Sequence, residues 1–315
     1  MLSGLSTDVH GLATVRRGLS HCIILFVLTM EVACCMGQER QGGSSANERP
    51  ALRKQSGYIR TNDNVQIHYE RAGSGKNIVL IPGSGCSIAW WQRNFDVLAE
   101  RFHVVAVDMR GSGRSQKCDW GHNCARYAMD VYELIHALQM ENVTLVGWSC
   151  GARTSYSYLM LFGHCRLRGV VIVDDTVHHT IHDPNPEDAK RKPGESDEAF
   201  MRRTVRRIVS PTAPQDLSSE EVDWMVESWT PSPAALSADG KAQDWRPLCP
   251  VIDVPVLIAS GRHSGALPGC RYAADHIPDA RLEIFEHSGH GLFYSEAEKF
   301  NQLVANFVDS LNPSH

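Results

Sequence analysis

Val143-Thr144-Leu145-Val146-Gly147-Trp148-Ser149-Cys150-Gly151 runs from a short apolar stretch into a serine set between two glycines. Residues 153–162 then carry helical spacing. A buried strand, a tight turn and a helix are predicted in that order. A Gly-x-Ser-x-Gly turn in this position raises the serine hydroxyl above the end of a sheet, and the small flanking residues let strand and helix approach closely. Ser149 is therefore the candidate nucleophile; outside that setting, a glycine-flanked serine is an ordinary turn.

The same alternation extends in both directions. Residues 78–81, 104–107, 170–173, 254–258 and 282–285 read as further buried strands, short, rich in β-branched residues and apolar on both faces. Residues 91–99, 127–138, 271–276 and 296–311 have helical spacing. Upstream, Tyr58-Ile59-Arg60-Thr61, the turn Asn62-Asp63-Asn64 and the run Val65-Gln66-Ile67-His68-Tyr69 predict a hairpin. The order implies an α/β chain with a mostly parallel, doubly wound sheet, whose core comprises residues 57–175 and 250–311. Residues 176–249 are polar and Pro-rich, with helices expected over 198–208 and 219–229. An insertion of that length after the sixth strand is expected to form a helical lid over the strand ends, where ligands bind in open α/β sheets.

A second segment makes the pattern specific. Asp108-Met109-Arg110-Gly111-Ser112-Gly113-Arg114-Ser115 follows the strand at 104–107. Together with the Ser149 turn it resembles the α/β-hydrolase family, over about residues 57–311. The resemblance, to the branch with a serine nucleophile, implies the α/β-hydrolase fold, with Asp108 and Arg110 as structural residues. It further implies an oxyanion hole built from the backbone N–H of Cys150 and that of Ser84, in the loop Pro82-Gly83-Ser84-Gly85-Cys86. A glycine-rich turn without chemical role is the alternative for that loop. Ser288-Gly289-His290, after the last strand, resembles the family segment that carries the catalytic histidine, so His290 is the candidate base and His287 the decoy.

The acid departs from the commonest family pattern, because Ser264 stands where most members carry aspartate. Some members place the acid after the sixth strand instead, and the alignment of 168–174 with that branch selects Asp174 over Asp175. The alternative is that both aspartates only cap the next turn. The implied chemistry is cleavage of an ester, thioester or lactone of a small apolar substrate through an acyl-enzyme. Perhydrolysis of the cofactor-free haloperoxidase kind and a hydrolase-like ligand-binding pseudoenzyme are the alternatives. Trp224 and Trp229 in the inserted segment suggest an apolar pocket, against the alternative that lid residues at helical spacing are simply packed.

Composition sets the remaining bounds. The 315 residues, 43% hydrophobic and 21% charged, suit one catalytic domain, and a net charge of -5 disfavours nucleic-acid binding. Arg16-Arg17 followed by the apolar run 22–30 has signal-peptide order, so residues 1–37 are expected to direct the chain to the secretory pathway or outside the cell; a disordered extension of a cytoplasmic protein is the alternative. The run is too short to span a bilayer, so no stable membrane insertion of the mature chain is expected. Residues 38–56 read as a linker. Ten cysteines contain no C-x-x-C pair, and only Cys118 and Cys124 are placed to pair locally in an oxidising compartment. His178, His179, His182 and Asp183 lack a recognised metal-ligand spacing and read as a hinge, so neither metal nor cofactor is expected. Asn142-Val143-Thr144 has glycosylation spacing but opens a buried strand, where a glycan does not fit. The pattern fixes no oligomeric state.

Overall fold

The computed structural model describes residues 52–182, 191–213 and 217–311. The expected signal segment, most of the expected linker and Asp183 lie outside these residues. The described linker is shorter than expected, because β1 (Gln55–Arg60) begins two residues before Gly57.

Eight strands form one sheet in the order β1-β2-β4-β3-β5-β6-β7-β8. β2 (Gln66–Ala72) runs antiparallel to β1 and to β4 (His103–Val107). All other pairs are parallel, through β3 (Asn77–Ile81), β5 (Val143–Trp148), β6 (Leu167–Val173), β7 (Val256–Gly261) and β8 (Ala280–Phe285). The chain thus has the expected α/β-hydrolase architecture.

The side-chain period of two divides the apolar runs between two cores. Val79, Ile81, Val105, Leu145 and Ile172 enter one, with α2 (Cys124–Ala137), α3 (Cys150–Phe162) and α7 (Leu267–His276). Ile78, Leu80, Ala106, Val146 and Val171 enter the other, with α1 (Phe95–Ala99), α8 (Leu292–Ser295) and α9 (Ala297–Ser310). Continuous apolar runs are the sequence sign of strands covered on both faces. β8 departs from that expectation. Among the described residues its one strand neighbour is β7, and only Phe285 of its six residues is buried, so it is a half-exposed edge rather than a buried strand.

The inserted segment carries α4 (Asp197–Val209) and α5 (Ser219–Glu227), close to the two expected helices, and a third, α6 (Ala234–Ala242), which helical spacing did not reveal. Ser196 and Ser218 cap α4 and α5, the latter with a full capping box closed by Glu221. Val205, Val209, Val222 and Met225 join one core and Leu236 the other, so the segment is anchored on both sides of the sheet. Among the described residues, no helix is long and apolar enough to cross a membrane.

Candidate active site

β5 ends at Trp148 and α3 begins at Cys150, leaving Ser149 alone between them at φ 54°, ψ -118°. A non-glycine residue at positive φ is strained, and packing on both sides maintains the strain here. A Cβ on Gly147 would lie 2.2 Å from the Gly151 carbonyl oxygen, and one on Gly151 would lie 2.3 Å from that of Ile81. The glycines of the turn are thus required by contact distance.

His290 is held from below. Its Nδ1–H donates to Asp174 Oδ2 at 2.7 Å, which leaves Nε2 as the nitrogen available to a substrate or to the serine. Asp174 is fully buried. Its carboxylate also accepts from the Ser260 hydroxyl (2.7 Å), the Gly261 N–H (3.0 Å) and the Ser264 hydroxyl (2.5 Å). Four donors offset the desolvation of this buried charge. The hydroxyl of Ser264, which stands at the position where the resemblance leads one to expect an aspartate, is thus a donor to the Asp174 carboxylate.

Asp175 serves elsewhere. It forms a bidentate ion pair with Arg153, at 2.7 and 3.1 Å, and accepts the Thr176 N–H. The two aspartates diverge because Asp174 lies past the end of β6 at φ 52°, which turns the backbone between them. His287 is exposed, with its backbone tied to Thr212 and Glu296.

Ser149, Asp174 and His290 line one cleft of about 800 Å³, together with Arg153, Arg207, Arg262 and His263. Ile208, Pro211, Ala266, Leu267 and Pro268 line it as well, so the cleft is mixed in polarity and its apolar part is not built from the inserted tryptophans. Trp224 packs against Trp90 and Tyr294, and Trp229 donates from Nε1 to the Ser84 carbonyl, 3.1 Å away; neither lines the cleft.

The loop after β3 lies beside the nucleophile: a Cβ on Gly83 would sit 3.3 Å from the Ser149 Cβ. The inserted segment grips this loop through Trp229, through the Thr230 N–H on the Gly85 carbonyl and through Ser232 on the Ser84 hydroxyl. Cys150, as the first residue of α3, has an N–H with no acceptor inside the helix. Burial pushes its thiol up to about 12 and that of Cys86 well above the ordinary range, so neither forms a competing thiolate near neutrality.

Asp108 accepts from the backbone N–H groups of Ile88 and Arg114 and lies 2.7 Å from His68 Nδ1, while Arg110 is gripped by Asp63 and Asp130. Both brace loops, as the resemblance implies. Cys118 and Cys124 are free thiols, which corrects the suggested local bridge: Cys124 is buried at the start of α2, and Cys118 Sγ turns to the Trp120 carbonyl. Among the described residues, no group of three His, Cys, Asp or Glu side chains is placed to hold a metal ion. Sequence reasoning missed Trp148, whose Nε1–H donates to the His290 carbonyl (2.9 Å) and whose ring packs on the imidazole at 5.3 Å. Its place inside the Ser149 turn was the available signal.

Residues 78–303 match the alpha/beta hydrolase family, and the chain belongs to it. That membership places it among hydrolases acting on small molecules. An AB hydrolase superfamily protein of Bacillus subtilis is 26% identical over 80% of this chain and 99% of its own. A non-heme chloroperoxidase of Kitasatospora aureofaciens is 26% identical over 79% of this chain and 98% of its own. An esterase from Exiguobacterium antarcticum superposes with a TM-score of 0.69 at 23% identity, over 80% of this chain and 99% of that one, a likeness of fold.

Proposed function

We propose that the chain is a serine hydrolase of esters, thioesters or lactones. Ser149 attacks the carbonyl carbon while His290 Nε2 takes its proton, and Asp174 orients and stabilises the resulting imidazolium. The backbone N–H groups of Cys150 and Ser84 receive the oxyanion. Collapse expels the leaving group with the proton from His290, and water releases the acyl group by the same route. The single observation that carries this reading is the Asp174–His290 contact at the wall of a cleft that Ser149 also lines. Residues 176–249 act as the lid, a role supported by their anchorage on both cores and by their grip on the Ser84 loop.

Likeness to a chloroperoxidase supports a second outcome of the same intermediate, in which hydrogen peroxide replaces water and a peracid leaves. Acetate and peroxide as co-substrates distinguish the two, through peracid formation. Export directed by residues 1–37 is proposed from the sequence alone; native protein should then begin near Gln38.

Turnover of short-chain activated esters tests the main reading. Ser149→Ala should abolish it in a folded protein, and His290→Ala should cost orders of magnitude. His287→Ala should leave it near wild type. Equal losses in the two histidine variants, or an active Ser149→Ala, would contradict the assignment.

A further inference from the structure

A second concavity of about 350 Å³ adjoins the cleft, and Arg153 and His182 line both. His179 and Lys241 complete its basic wall, with Thr176, Ser237 and Trp245 beside them. Among the described residues no carboxylate lines it. Of the carboxylates beside it, Asp175 is buried and engaged by Nε and Nη2 of Arg153, Asp239 accepts from the Cys124 N–H and from Gln243, and the exposed Asp244 is paired with Arg246. The Arg153 side chain still keeps 29% of its surface exposed. Lys241 lies in the last turn of α6 and is exposed. These carboxylates are each engaged by other partners, and the charged side chains that line the concavity are those of Arg153 and Lys241, with the imidazoles of His179 and His182 beside them.

We propose that this concavity binds an oxyanion, a carboxylate or a phosphate, carried by the substrate away from its scissile carbonyl. The inference rests on the serine-hydrolase reading and narrows it to acidic esters, thioesters or lactones. Arg153 supplies a guanidinium already oriented by Asp175, Lys241 a mobile point charge, and His182 a donor at the passage between the two spaces. A preorganised guanidinium loses less freedom when it binds an anion than an unrestrained one does.

Binding to full-length Ser149→Ala protein tests the proposal without turnover. The probes are the monoethyl and diethyl esters of succinate, glutarate and adipate, titrated by NMR at low ionic strength, with inorganic phosphate as a further anion. At least one monoester should bind more tightly than its diester, by about tenfold, and 0.5 M salt should shrink that advantage. Lys241→Gln should reduce the monoester-to-diester ratio by about threefold, within the range of one exposed charge. Competition by inorganic phosphate at millimolar concentration would extend the site to phosphate; its failure alongside monoester preference would restrict the site to carboxylates. Equal or weaker binding of every monoester would overturn the proposal. Hydrolysis of the diesters by wild-type protein, abolished in Ser149→Ala, shows whether the underlying reading stands by itself.

Discussion

At the scale of single residues, two adjacent aspartates carry opposite duties. Asp174 touches His290, so Asp174→Asn should lower the acyl-transfer rate steeply, with about 10⁴ as the upper guide from a serine protease. Asp175→Asn should retain most of the rate yet lose about 2 kcal/mol of stability, because it leaves the Arg153 guanidinium without its buried partner. Steady-state kinetics and denaturant unfolding on both variants check the pair of outcomes. Since the Ser264 hydroxyl meets the very oxygen of Asp174 that holds His290, adding Ser264→Asp to Asp174→Asn should restore part of the activity. The sequence made Asp174 legible only through kinship with a branch of the family. Strand alternation does not separate it from Asp175, because β6 has already ended and the turn at positive φ divides them. The donors Ser260 and Ser264 were not legible in that role, since no local pattern announces a contact across 86 or 90 residues.

At the scale of elements, the site depends on how closely the ends of β7 and the His290 loop approach. A Cβ on Gly261 would lie 2.1 Å from the Gly289 carbonyl oxygen, while the Gly261 N–H binds Asp174. Gly261→Ala must push backbone against backbone. It should displace His290 and cost about 10² in kcat/KM, with about 1–3 kcal/mol of stability from overpacking. Kinetics alongside thermal unfolding would show both losses, and an unchanged rate would mean that the loop is not positioned by this contact. The central strands were legible because each apolar run feeds two cores, whereas β8 was misjudged because an edge strand with partly buried apolar residues resembles a central one. The helix α6 stayed hidden because its sequence, Ala-Ala-Leu-Ser-Ala-Asp-Gly-Lys-Ala, offers a single large apolar residue to a core.

For the molecule as a whole, Arg110 ties the β1–β2 turn to α2 by gripping Asp63 and Asp130. Hydrogen bonding from Arg110 holds the Asp63 carboxyl far below its ordinary range. A depressed folded-state value contributes stability that is present above the unfolded value near 4 and fades as pH falls toward the folded one. Asp63→Asn should therefore be less stable than wild type at pH 7, and the gap should narrow below about pH 4 in urea titrations. A gap independent of pH would remove this contribution. The central claim concerns Ser149, and covalent capture tests it most directly. Folded protein treated with a fluorophosphonate and analysed by intact-mass spectrometry and peptide mapping should gain one adduct, on Ser149, with none on Ser149→Ala and slow labelling of Asp174→Asn. A folded protein that gains no adduct, or that carries it on another residue, would contradict the assignment of Ser149 as nucleophile.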